Sequence, residues 1–128
     1  MDTSEADTPA LTVAITALRG AGAAFAYLHG SQGTGKSTPG SDVDLAAWWP
    51  SDPPVSSDVE LPPGHDLMVL NSAPLELRGR VAASGRLVFE DDPVARVRWE
   101  ATTRKVWFDE RPRFERSHRE FLAAITDG

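Results

Sequence analysis

The chain has 128 residues, 41% hydrophobic and 25% charged, with no cysteine. That length suits one globular domain burying roughly two-thirds of its unfolded-chain surface, and the missing thiols exclude a disulfide framework, a thiolate zinc site and a cysteine nucleophile. The formal charge of −6 opposes coating of nucleic acid by bulk electrostatics, so no direct nucleic-acid binding is expected.

Residues 1–7 are polar and read as a tail, with a single domain over 8–128. Thr8-Pro9 supplies a helix start, and Leu11, Ala14, Ile15 and Leu18 repeat at helical spacing until Gly20 and Gly22. Ala23 to Leu28 is an uncharged apolar run, hence a buried strand. The stretch from Gly30 to Gly40 is rich in glycine, serine and threonine, and a second strand follows over Asp42 to Trp49. Pro50 to Gly64 holds five prolines without periodicity, which predicts a loop. His65 to Leu70 reads as a third strand. Ser72 can cap a helix over Pro74 to Ser84, and Gly85 ends it. Arg86 to Phe89 is a brief fourth strand. Asp91-Asp92-Pro93 starts a helix on which Val94, Val97, Ala101 and Phe108 share a face. Pro112 divides it from a last helix carrying Phe114, His118, Phe121, Leu122 and Ile125, giving a C-terminal helix pair over 93–128. The expected class is α+β, a short mixed sheet of about four strands flanked by about four helices.

Residues 1–92 carry five basic and thirteen acidic side chains, and residues 93–128 carry eight and six. An acidic body suits the gathering of cations. The mildly basic end suits either docking to a partner or an ordinary solvated helix, since its arginines alternate with Glu100, Asp109, Glu110, Glu115 and Glu120. No run reaches the ~20 apolar residues of a membrane span. The acidic start Met1-Asp2-Thr3-Ser4-Glu5 is unlike a secretory signal, so a cytoplasmic location is expected.

Two phosphate motifs share residues. Gly30-Ser31-Gln32-Gly33-Thr34-Gly35-Lys36-Ser37 matches the P-loop pattern letter by letter. A P-loop lysine must open a helix whose amides cradle phosphate, and Thr38-Pro39-Gly40 follows at once. Proline disfavours a helix interior by about 3 kcal/mol and glycine by about 1 kcal/mol, which opposes that reading. The second pattern is Gly30-Ser31, ten residues, then Asp42-Val43-Asp44 leading into Leu45-Ala46-Ala47. Strand alternation sends Asp42 and Asp44 to one face and Val43 and Leu45 to the other. Two adjacent carboxylates repel unless a cation lies between them, and hard oxygen donors suit Mg²⁺. Glycine lets the backbone approach a phosphate and serine donates to it. The plain alternative makes Ser41-Asp42 a turn and Asp44 an exposed strand residue.

Gly-Ser on a turn after one strand and Asp-x-Asp on the next resembles the signature of the polymerase-β-like nucleotidyltransferases. The stretch Asn71-Ser72-Ala73-Pro74, then Gly85-Arg86-Leu87-Val88-Phe89-Glu90 and Asp91-Asp92, is similar to the minimal, MntA-type members of that group. The resemblance covers most of residues 8–128. It implies the nucleotidyltransferase fold and a catalytic, metal-binding triad of Asp42, Asp44 and Asp66, the last opening the third strand. Asp58 and Glu60 are the rivals for the third place. It implies two Mg²⁺ ions, ATP as substrate, and a nucleotide-binding set of Gly30, Ser31, Lys36 and Ser41. It further implies an antitoxin whose partner is an all-helical HEPN-type ribonuclease toxin, silenced by transfer of AMP to a tyrosine hydroxyl. The alternatives are an antitoxin that neutralises its toxin by contact alone, and an adenylyltransferase acting on a small hydroxylated molecule.

Relatives usually carry an arginine after Gly-Ser, where this chain has Gln32-Gly33-Thr34-Gly35, and Lys36 supplies a more mobile charge in its place. His29 reads as a structural histidine or a phosphate contact, and His65 as a loop-end residue or a support for Asp66. Trp48 and Trp49 face opposite sides of the second strand, for packing or for stacking on a base. The three histidines, at 29, 65 and 118, form no Ser-His-Asp signature.

Overall fold

A computed structural model describes residues 9–29 and 43–127. In chain order the elements are α1 (Pro9–Gly20), β1 (Phe25–His29), β2 (Val43–Trp48), a 3-10 turn at Ser56–Asp58, β3 (His65–Val69), α2 (Leu75–Ser84), β4 (Arg86–Glu90) and α3 (Pro93–Asp127). The four strands form one sheet in the order β3-β2-β1-β4. β1 is antiparallel to both β2 and β4, while β2 and β3 run parallel. The expected α+β class and mixed four-stranded sheet are borne out.

Alternation sorts the strands onto two faces. Ala26 and Leu28 of β1 join Leu45 and Ala47 of β2 under Leu11, Ala14 and Leu18 of α1. Phe25 and Tyr27 join Ala46, Leu70 and Val81 on the other face, with Trp48 and Trp99 packed against them. The tryptophans of β2 thus serve both layers. Trp49 is buried beneath α1, its indole N–H donating to Ala21 O at 3.0 Å. Trp48 stacks on Phe25 with ring centroids 5.2 Å apart. The Asn71 side chain closes the end of β2: its Oδ1 accepts from Trp49 N at 2.9 Å and its Nδ2 donates to Trp49 O at 2.7 Å. Asn71 is the first residue of the Asn-x-Ala-Pro turn, and this double bond gives that turn its physical role.

Three α-helices occur among the described residues, against the four or so expected. The expected C-terminal pair is one helix of 35 residues with Pro112 inside it. Proline removes one backbone hydrogen bond and crowds the carbonyl four residues earlier, yet its φ is helical, so it strains the turn without ending it. Pairs spanning it keep the register: Arg111 with Glu115 at 2.8 Å, Arg113 with Glu110 at 3.3 Å, and the Trp107 and Phe114 rings at 5.6 Å. Asp92 caps the start of this helix as expected, accepting from Ala95 N at 3.0 Å.

The face expected to pack is the wrong one. Val94, Val97, Ala101 and Phe108 are exposed, and the body is contacted instead by Ala95, Trp99, Thr103 and Trp107. Ser72 does not cap α2 either, because Pro74 holds the cap position without a side-chain bond. No helix among the described residues is long and apolar enough to cross a membrane.

Candidate active site

The parallel register of β2 and β3 pairs Val43 with His65 and Asp44 with Asp66. Strands in a sheet lie roughly 4.8 Å apart, and register partners share a face. Asp44 and Asp66 are therefore lateral neighbours on the face that carries Ala46 and Met68, while Leu45, Leu67 and Val69 turn toward α1. Asp44 is half-buried and Asp66 exposed.

On the other side of Asp44 the antiparallel register sets His29 of β1. His29, Asp44 and Asp66 thus form a row across three neighbouring strands. The row lies at the end of the sheet from which residues 30–42 lead between β1 and β2. Burial pushes the His29 imidazole below its ordinary value, and the Asp44 carboxylate and a backbone hydrogen bond at Leu45 only partly oppose this. The ring is therefore neutral at pH 7, able to offer both a donor and an acceptor nitrogen. Sequence reading left His29 between a structural and a phosphate-contacting role. Its place in the row was readable only from its alternation with Phe25 and Tyr27, combined with the strand pairing.

Gly30, Ser31, Lys36, Ser41 and Asp42, and with them the whole P-loop pattern, lie outside the described residues. In the chain they fall between His29 and Val43, both at this end of the sheet. Asp58 lies in the 3-10 turn, and Glu60 lines a groove with Pro9 and Val13 at the start of α1, so neither joins the row. His65 turns away from Asp66. Its Nδ1 lies 3.2 Å from Pro63 O, and its Nε2 is buried without a hydrogen-bond partner among the described residues.

Among the described residues no group of three or more His, Asp or Glu side chains is placed to hold a metal ion. Asp44 and Asp66 are a pair, and the third predicted carboxylate, Asp42, is outside that set. The pair itself fits a divalent cation, because two like charges at neighbouring register positions are relieved by a hard cation between their oxygens.

The polymerase β nucleotidyltransferase family model matches residues 19–94, a span running from the end of α1 through β4. The chain belongs to that family, and its class of reaction is nucleotidyl transfer.

Solved structures share the fold. One is a toxin–antitoxin complex with AMP-PNP, 19% identical, covering 87% of this chain and 99% of that one with a TM-score of 0.60. Another is a toxin–antitoxin MntA–HepT complex, 18% identical over 85% and 97% of the two chains, TM-score 0.54. A third is a tri-AMPylated Shewanella oneidensis HEPN toxin in complex with MNT antitoxin, 18% identical over 85% and 96%, TM-score 0.54. No curated protein matches the chain.

Proposed function

We propose that the chain is the antitoxin of a HEPN-type ribonuclease toxin, and that it transfers AMP from ATP to a tyrosine hydroxyl of that toxin. The observation that carries this is the register pairing of Asp44 with Asp66 at the His29 end of the sheet. The fold-sharing structures support it, since they include an antitoxin complex with AMP-PNP and an AMPylated HEPN toxin.

Asp42, Asp44 and Asp66 would hold two Mg²⁺ ions, which supply charge stabilisation to the triphosphate and acidify the attacking hydroxyl. Gly30 and Ser31 would hold phosphate oxygens through the backbone and the hydroxyl, and Lys36 and Ser41 would supply a positive charge and a further donor. The exposed carboxylate of Asp66 is open to an acceptor carried on another protein and takes the hydroxyl proton. The acceptor oxygen forms its bond to the α-phosphorus as the bond to the bridging oxygen breaks, and pyrophosphate leaves. His29 stands at the register position beside Asp44.

The test mixes the purified chain, the toxin, ATP and Mg²⁺, and reads the intact mass of the toxin. The expected result is added AMP with the wild type. Asp44→Asn and Asp66→Asn should each slow transfer roughly a hundredfold or more, with unchanged melting. Full transfer by Asp44→Asn removes the assignment. A toxin silenced without added mass establishes the contact-only antitoxin instead.

A further inference from the structure

Trp48 stacks on Phe25 with ring planes 12° from parallel, and the rest of its indole is not covered by that contact. Together with Trp99 it borders a groove of about 340 Å³ between the sheet, α2 and α3. Leu70, Leu75 and Val106 complete the apolar wall. Pockets that take small molecules begin at roughly this volume. Trp48 lies four residues along β2 from Asp44, roughly 13 Å by strand rise, and Ala46 between them is fully buried. The groove is therefore separate from the carboxylate row.

Its polar atoms define what it takes. The polar residues at its border are Asn71, Arg78, Thr102 and Thr103, and no carboxylate stands among them. Glu76 and Glu100, on the same two helices, are paired with Arg80 and Arg96 and do not border it. The Asn71 amide is engaged at both ends by Trp49. Arg78 donates one N–H to Ala73 O at 2.7 Å and has no acidic partner among the described residues. Thr103 is 6% exposed, yet its hydroxyl makes no hydrogen bond among the described residues, and neither do the indole N–H groups of Trp48 and Trp99. A buried hydroxyl without a partner raises the free energy of the fold, and a bound acceptor reverses that. The groove thus offers one uncompensated positive charge, a set of donors and flat aromatic surface.

We infer that this groove is a second ligand site, and that it takes a small molecule joining a planar ring to an anionic group. The ring lies against the indoles of Trp48 and Trp99. The anion meets the remaining N–H groups of Arg78, whose planar fork suits a carboxylate or a phosphate. An acceptor atom of the ligand reaches the Thr103 hydroxyl. A nucleoside monophosphate and an aromatic carboxylate share this chemistry. The site stands independently of the transfer reaction proposed above.

The experiment titrates the full chain by calorimetry in magnesium-free buffer. The probes are AMP, indole-3-acetate, and the separate parts adenosine and ribose 5-phosphate. A probe with both ring and anion should bind more tightly than either part. Arg78→Gln should weaken that binding roughly tenfold, the worth of a hydrogen bond to a charged group. Thr103→Val should weaken it severalfold, and melting should not fall, because the hydroxyl removed has no partner. Asp44→Asn should bind as the wild type does. A response to AMP assigns the site to nucleotides, and a response to indole-3-acetate alone assigns it to aromatic carboxylates; both uphold the inference. No heat from either anion at millimolar concentration overturns it. So do adenosine binding as tightly as AMP, undiminished binding by Arg78→Gln or Thr103→Val, and binding lost in Asp44→Asn.

Discussion

Tyr27 shows how a single residue ties the sheet to the long helix. Its phenol O–H donates to Glu100 Oε2 at 2.5 Å, and Glu100 is held in turn by Arg96 at 3.1 Å and Arg104 at 3.5 Å. Arg96 also pairs with Glu90 of β4. Burial, and then the Glu100 bond and charge, push the phenol well above its ordinary value of 10.0. The folded state therefore keeps the proton where the unfolded chain releases it. The stability this contributes is intact below pH ~10 and declines above it, by about 1.4 kcal/mol per pH unit. Tyr27→Phe should lower stability at pH 7 by roughly 2 kcal/mol, the size of a hydrogen bond to a charged group, and should flatten the alkaline loss. Urea melts at pH 7 and pH 10.5 check both, and a variant with the wild-type alkaline slope would exonerate Tyr27. The strands that carry Asp44 and Asp66 were legible because apolar runs and alternation act locally, whereas the part given to Asp66 came from the resemblance. The Tyr27–Glu100 bond joins residues 73 apart, and no local period encodes a contact of that span. His29 falls between the two cases, since its strand was legible but its neighbour depended on the pairing.

At the scale of elements, α3 is where sequence reading and structure part. The helix carries two apolar stripes, Val94-Val97-Ala101-Phe108 and Ala95-Trp99-Thr103-Trp107, and periodicity alone does not rank them. Bulk decides: the second stripe brings two indoles against Phe25, Tyr27 and α2, which bury more area than valines do. The deciding partner is Gly79 of α2. A Cβ there would lie 2.5 Å from Trp107 Cγ and 2.6 Å from Cδ2, closer than packed atoms approach. Gly79→Ala should thus destabilise the protein by about 1–3 kcal/mol of overpacking, outweighing the gain of about 1 kcal/mol in helix propensity. Chemical denaturation measures the balance. A stabilised Gly79→Ala would mean that α2 and α3 separate easily. Pro112 misled for a related reason. A proline is strong evidence of strain in a helix but weak evidence of its end when pairs on either side span it.

On the scale of the whole molecule, the acidic body and the basic helix end divide structurally as well as electrostatically. The body is complete by Glu110: its two buried layers draw on α1, the sheet, α2 and the first half of α3. The remaining turns contribute to it chiefly the Trp107–Phe114 ring contact, a kind worth about 0.5–1.5 kcal/mol. Local ion pairs of the Arg111–Glu115 type add about 0.2–0.5 kcal/mol each, less than the roughly 3 kcal/mol by which a proline disfavours a helix interior. Intrinsic propensity is thus a poor account of why this segment stays helical, and continuation from the packed first half of α3 is a better one. A chain ending at Glu110 should keep cooperative unfolding with a melting temperature only a few degrees lower, since 1 kcal/mol corresponds to about 2–8 °C in domains near this size. It should keep Asp44 and Asp66 in register. Calorimetry on the truncated chain decides the matter. If truncation abolished cooperative unfolding, the overhanging turns would belong to the core of the fold.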